Sequence, residues 1–347
     1  MNGLGEVLQT ARRAHGLTQD ELADAAGITQ AALSRYEQGL REPDEAILTS
    51  LAAKLGVTVG FLRSAGSVQG AVAVDAHMRR RATAKATHWR QLEAQLNMYR
   101  MHVRWMFEQV SIHATQRVPT FDPIDTPPAE AALFVRAQWR MPIGPVQNLV
   151  RWVEAAGTVV VMQDFGTPRI DGLSQWVEDH PVMLVNSGSP TDKLRFTVAH
   201  ELAHLCLHTE NVVRDMEADA NTFAAEFLMP AHVIQQQLRN LDLGKLCDLK
   251  REWGVSMQAL VERAHQLKTI TAQQRTAYYK AFSARGWRTR EPISEELPPE
   301  RAELPSMVAR KMTDNGMSKD EIANIAGWTR AESNTLFRVP DTRLRAI

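Results

Sequence analysis

Between positions 4 and 62, apolar residues recur three and four apart in runs cut by Gly16, Gly27, Gly39 and Gly56. This spacing predicts five short helices packed into one small helical domain. After a linker from about 65, Trp89, Leu92, Leu96, Tyr99, Val103 and Phe107 share one face of a long helix, a face suited to packing or dimerisation. Four prolines between Pro119 and Pro128 deny helix and mark an extended connection. Helical spacing returns at about 129–138 and 146–156, and Gly157 then opens the β-branched run Thr158-Val159-Val160-Val161, a predicted strand. Two more short strands are expected at 172–176 and 182–186, the second apolar enough to be buried. The pattern is helical again over 191–208, and further helices are predicted at about 216–227, 231–238, 245–250 and 256–265. Beyond Arg290 a Pro- and Glu-rich linker, Pro292 to Pro305, leads to a small helical tail.

These elements make a protein that is mainly α with a small β-sheet, of the α+β class. The expected division is an all-α domain at 1–65, a linker and long amphipathic helix at 66–128, an α+β domain at 129–290, and a linker with a helical C-terminal region at 291–347.

Composition changes this picture little. Forty basic residues balance forty acidic ones among 347, so overall charge argues neither for nor against a nucleic-acid partner. Residues 1–63 hold six Lys/Arg against eight Asp/Glu, a net of −2, so the first domain does not grip DNA by bulk charge. From Arg79 to Arg104 the chain is basic (Arg79, Arg80, Arg81, Lys85, Arg90, Arg100, Arg104 against Glu93), which reads as a solvated helix face ahead of a phosphate-binding one. Cys206 and Cys247 form no disulfide framework and read as buried thiols in a reducing compartment. A charged-then-apolar leader and a run of about 18 apolar residues are both missing, so the expected protein is cytoplasmic with no membrane partner.

The candidate chemistry lies in Phe196-Thr-Val-Ala-His200-Glu201-Leu-Ala-His204-Leu-Cys-Leu-His208. His-Glu-x-x-His on a helix projects His200 and His204 side by side, so that their ring nitrogens can share one Zn2+. Glu201, on the adjacent face, can accept a proton from water activated by the metal and pass it to a departing amine. A catalytic zinc needs a third protein ligand, and the acidic helix Glu217-Ala-Asp-Ala-Asn221 offers one. Glu217 is the first choice and Asp219 the second. Asn221, one turn on from Glu217, could hold a ligand imidazole by a hydrogen bond. His208 and His180 are the candidates to stabilise an oxyanion or face substrate.

The span Arg195-Phe-Thr-Val-Ala-His-Glu-Leu-Ala-His-Leu, followed by Glu217-x-x-Ala-Asn-x-Phe-Ala-Ala-Glu-Phe-Leu-Met-Pro230, resembles the ImmA/IrrE-type metallopeptidases, zinc proteins related to the thermolysin-like gluzincins. Gly144-Pro145, Gly157, Ile170-Asp171-Gly172-Leu173-Ser174 and Val185-Asn186-Ser187 follow the same family order, so the likeness covers roughly 140–265. It implies Glu217 as third ligand and Glu201 as base. It also implies a protein substrate, commonly a helix-turn-helix repressor whose cleavage induces phage, mobile-element or stress genes.

In the first domain, Leu17-Thr18-Gln19-Asp20-Glu21-Leu22-Ala23 and Gly27-Ile28-Thr29-Gln30-Ala31-Ala32-Leu33-Ser34-Arg35-Tyr36-Glu37 read as helix, glycine turn and second helix, with Thr18 and Thr29 as N-caps. Gln30, Ala31, Ser34 and Arg35 face outward, where a recognition helix meets base edges, while Gln19 and Arg41 are placed to meet phosphates. The pattern resembles the phage-repressor (XRE or Cro-type) domains over 4–62, and Arg12 and Glu37 match positions where that family makes an internal ion pair. Operator DNA is the expected partner and a homodimer on a palindromic site the expected assembly, joined through the helix at about 88–108. In the tail, Met317-Ser318-Lys319-Asp320-Glu321-Ile322-Ala323 resembles half of a helix-turn-helix, a pattern that in isolation marks a helical hairpin. Two functions follow. One is a DNA-binding regulator with a zinc endopeptidase domain that cuts a regulatory protein. The other is a transcription factor whose metallopeptidase-like domain senses a small ligand or metal without proteolysis.

Overall fold

The computed structural model describes residues 3–63, 86–110, 114–177, 180–208 and 215–339. The chain divides into two compact units: Met1–His113 with Gln175–Val182 and Glu303–Ile347, and Ala114–Ser174 with Met183–Ala302.

In the first unit, the helices Gly3–Ala14, Gln19–Ala26, Gln30–Glu37, Glu45–Lys54 and Val59–Arg63 fall where the apolar spacing puts them. Val7, Leu8, Ala11, Leu22, Leu33, Leu48, Leu51 and Phe61 form their shared core. Thr18 caps the second helix by a capping box with Glu21, and Thr29 accepts from the Ala32 amide to start the third. The long helix Ala86–Phe107 is not one-faced as its apolar stripe suggests. Trp89, Leu92, Leu96 and Val103 are buried, but so are Ala94, Met98 and His102 on another face, and Ala94 and Met98 join the core of the five-helix domain.

In the basic stretch Arg90 and Arg104 are exposed, as a solvated face requires, and one residue departs from it. Arg100 is half-buried and donates to the Trp176 carbonyl, the Gln175 Oε1 atom and Asn97, so it holds a chain segment instead of solvating a face. Burial lowers its pKa to about 10. Arg79, Arg80, Arg81 and Lys85 lie outside the described residues. The C-terminal helices Leu304–Asp314 and Lys319–Ile325 belong to this same unit.

The second unit holds most of the α+β part. Strands β1 (Val159–Gln163), β2 (Gly172–Val177) and β3 (His180–Asn186) form a three-stranded sheet in the order β1-β3-β2, so the most apolar strand lies in the middle. The unit boundaries cut across β2 and β3, at Gln175 and Val182. Helix Thr191–Leu207 is buried nearly all round, as expected of a helix lacking a polar face. It packs on Met216–Leu228, which packs in turn on Pro128–Gln138. The helix expected at 231–238 stops at Ile234.

The structure adds a helix, Ala272–Ala284, that no apolar stripe announces, because Phe282 is its one buried residue. Polar ties hold it instead. Thr271 and Gln274 form a capping box, Tyr278 Oη donates to the Leu241 carbonyl at 2.7 Å, and Arg275 pairs with Glu262. No helix among the described residues is long and apolar enough to cross a membrane.

Candidate metal centre and nucleic-acid interface

The N-terminal half of the helix Thr191–Leu207 is anchored by two buried charge networks. Lys250, fully buried, donates to Asp192 at 2.5 Å, Glu291 at 2.8 Å and Ser294 at 2.8 Å. Arg195 pairs with Glu300 and donates to the Gly254 carbonyl at 2.9 Å. Glu300 also accepts from the Leu149 and Val150 amides, both at 3.0 Å, so one carboxylate caps a neighbouring helix and fixes this one. Isolated charges would be costly at such depth, whereas paired and hydrogen-bonded ones hold the helix in one position.

Two turns along, His200 and His204 bring their Nε2 atoms to 3.2 Å of each other. Glu217, in the first turn of the next helix, sets Oε2 at 3.6 Å from His200 Nε2 and Oε1 at 3.7 Å from His204 Nε2. One ligand atom from each of the three lies within 4.8 Å of the others. Two imidazole nitrogens bound to one zinc at a tetrahedral angle are about 3.3 Å apart, so the donor set fits a single ion of this kind with the carboxylate drawn in by a few tenths of an ångström.

The far sides of both rings are held. His200 Nδ1 lies 3.1 Å from Asn221 Oδ1, which requires an Nδ1–H donor and leaves the Nε2 lone pair for a metal. His204 Nδ1 lies 2.9 Å from His208 Nδ1, and His208 Nε2 is 3.9 Å from Asp219 Oδ2. His208 therefore meets the back of a ligand ring.

Glu201 is 2 % exposed, and its Oε2 accepts from Ser174 Oγ at 2.8 Å. Its side chain lies so close to β2 that a Cβ on Gly172 would come within 3.0 Å of Glu201 Cγ and 2.8 Å of Thr197 Cγ2, so that position suits glycine alone. In the sequence Gly172 and Ser174 stand only in a family order, and no spacing marks them as the residues that hold the candidate base. Cys206 is buried and its thiol pKa is pushed up by desolvation, as expected of an inert core thiol. His180 belongs to the other compact unit, where its ring meets Phe107 edge-on at 4.6 Å between centroids.

On the helix Gln30–Glu37, Gln30, Ala31 and Arg35 are exposed and Ser34 is half-buried. Arg41 is exposed just beyond it, with its guanidinium 5.9 Å from the Tyr36 ring centroid. Beneath this surface, Arg12 and Glu37 form a buried two-pronged ion pair at 2.6 and 2.9 Å. Glu37 also accepts from Gln19 Nε2 at 2.8 Å, and Gln19 Oε1 accepts from Gln30 Nε2 at 2.7 Å. A chain of polar contacts thus runs from the domain core to the outward-facing Gln30. The ion pair was legible through the family resemblance; the relay through Gln19 was not, since Gln19 reads in the sequence only as a phosphate contact.

Residues 153–265 match the family model described as the IrrE N-terminal-like domain, and residues 8–62 match that described as Helix-turn-helix. The chain is similar to the SPbeta prophage-derived uncharacterized HTH-type transcriptional regulator YonR of Bacillus subtilis (strain 168), with 43% identity over 58 residues, 17% of this chain and 54% of that protein. It is also similar to the Uncharacterized HTH-type transcriptional regulator YqaE of the same organism, with 40% identity over 57 residues, 16% of this chain and 49% of that protein. The chain thus spans about half the length of the curated relatives it matches. No solved structure matches it.

Proposed function

We propose that this protein is a DNA-binding transcription regulator that carries a zinc-dependent endopeptidase, and that it cuts a regulatory protein, with a helix-turn-helix repressor as the leading substrate class. The observation that carries the enzymatic part is the pairing of a metal-ready His200–His204–Glu217 trio with a carboxylate, Glu201, on the residue next to a ligand.

The ligands assigned are His200, His204 and Glu217. When bound there, Zn2+ would supply Lewis acidity toward a peptide carbonyl and lower the pKa of water. Glu201 would accept the proton of the attacking water at its carboxylate and return it to the departing amine, while Ser174 keeps that carboxylate in one orientation. Asn221 and His208 would set the faces and tautomers of the two ligand imidazoles. Gln30, Ala31, Ser34 and Arg35 would read base edges in the major groove, with Gln19 and Arg41 at the phosphates. One such helix per chain covers one half-site, so a two-fold operator takes two chains. A cytoplasmic protein fits this role.

The second reading, a transcription factor that senses a ligand or metal at this site without cutting, is favoured by one observation. His208, a candidate to stabilise an oxyanion, is turned onto His204. The deciding experiment incubates zinc-loaded wild type and Glu201→Gln with candidate repressors of the same genome and reads both by mass spectrometry. The variant is expected to keep its zinc and lose cleavage by about 10²–10⁴-fold. Stoichiometric zinc in a wild type that cuts none of the candidates would favour the sensing reading. Full zinc occupancy in Glu217→Ala would remove Glu217 as third ligand.

A further inference from the structure

Residues 304–337 align with residues 4–37 at a constant displacement of 300 positions and without a gap. Leu304 stands at the place of Leu4, Gly316 of Gly16, Asp320-Glu321 of Asp20-Glu21, Ala326-Gly327 of Ala26-Gly27 and Thr329 of Thr29. The backbones agree as well. Leu304–Asp314 and Lys319–Ile325 correspond to Gly3–Ala14 and Gln19–Ala26. Ser318 and Glu321 close the same capping box as Thr18 and Glu21. Gly316 and Gly327 take the left-handed φ of Gly16 and Gly27. The amides of Met317 and Trp328 return to the carbonyls of Met312 and Ala323, as those of Leu17 and Ile28 return to Arg12 and Ala23. Val308, Ile322 and Ala323 are buried at the places of Leu8, Leu22 and Ala23.

The copies part after the turn. In the first, Leu33 and Tyr36 bury the third helix and Arg12–Glu37 ties it down. In the second, Leu33 is replaced by Ser333, and the ion-pair positions hold Met312 and Phe337. The run Ser333-Asn334-Thr335 favours local side-chain bonds over helix, and Asn334 Oδ1 accepts from the Leu336 and Phe337 amides. The base-reading helix is therefore gone from the second copy.

Its turn has a new use. Val57 and Trp328 form an antiparallel bridge, with Thr58 N–H donating to the Gly327 carbonyl at 2.9 Å and Thr329 N–H to that of Gly56 at 3.1 Å. His102 of the long helix is stacked between Trp328 at 3.6 Å and Phe61 at 4.2 Å, and its Nδ1 lies 2.7 Å from the Ala326 carbonyl. A Cβ on Gly27 would meet nothing, whereas one on Gly327 would stand 2.4 Å from the Phe61 ring.

We propose that residues 304–337 are a duplicate of the helix-turn module, stripped of its reading helix, which serves as the fixed intrachain partner of the first copy, so that DNA reading by Gln30–Arg35 requires the C-terminal segment to be docked on Gly56–Thr58, Phe61 and His102. The dependence on DNA rests on the function proposed above; the docking does not.

The test uses the full chain, with Gly327→Val and the milder Trp328→Ala as variants. The readouts are hydrogen exchange at the Thr58 amide, zinc content, and affinity for a duplex selected by wild type from random-sequence DNA. Release of the segment is expected to speed Thr58 exchange by about tenfold or more and to weaken DNA binding by a similar factor, with zinc content unchanged. Unchanged Thr58 protection in both variants would overturn the docking. Fast Thr58 exchange with DNA affinity within about twofold of wild type would overturn the dependence. A wild type that selects no duplex would overturn the DNA-reading premise and the dependence with it, leaving exchange to decide the docking. Should Gly327→Val lose its fold, seen as fast exchange throughout the five-helix core, Trp328→Ala carries the same outcomes.

Discussion

The helix proposed to hold the metal and the helix proposed to read DNA use buried charge in opposite ways. Around Thr191–Leu207, Lys250 and Arg195 pair with carboxylates under the helix, and the imidazoles and Glu201 to which we assign the chemistry are themselves buried and held by Asn221, His208 and Ser174. Under Gln30–Glu37 a single buried pair, Arg12–Glu37, supports side chains that are exposed or, at Ser34, half-buried, and Gln30 alone of the outward set is reached by the relay. A metal demands ligand atoms fixed to tenths of an ångström before it arrives, so its surroundings are rigid. A base edge in a groove can be met by a side chain that settles on contact, so only the helix needs fixing.

The largest effect expected from disturbing this contrast lies under the metal helix. Lys250→Met leaves Asp192 and Glu291 buried without their cation and should cost about 3–5 kcal/mol, read as a lower midpoint in chemical denaturation. A cost under about 1 kcal/mol would mean that water replaces the ammonium and that the networks do not anchor the site.

A smaller effect is expected from Asn221→Ala, which frees the His200 ring without removing a ligand. Zinc affinity should fall about 10–100-fold in a competition titration, with the fold intact. An unchanged affinity would place the rigidity of the site in the backbone alone.

The smallest belongs to the first unit. Burial lowers the pKa of His102 from 6.5 to about 3, with the Ala326 carbonyl opposing and the charge of His15 assisting. The unfolded chain then binds a proton that the folded unit does not, so stability is complete above about 6.5 and is lost as pH falls, by about 1.4 kcal/mol per unit at the steepest. Denaturation midpoints of the full chain between pH 7 and pH 5 read this directly, and His102→Phe should flatten the slope. An equal slope in that variant would assign it to other groups.

What the sequence alone determined was whatever depends on neighbours along one helix. His200 and His204 share a face because residues four apart do. Thr18 and Thr29 cap, and the five N-terminal helices form, because periodicity and turn residues agree. The Arg12–Glu37 pair was legible as well, through family resemblance. Tertiary structure decided whatever joins distant segments. Ser174 and Gly172 hold Glu201 across a strand–helix contact that no spacing encodes. A polar helix at Ala272–Ala284 forms through Glu262 and Leu241. The C-terminal segment shows its helix pair in its own residues, but its partner is set by a backbone bridge to Gly56–Thr58, and backbone groups look the same in every residue until the fold brings two of them together.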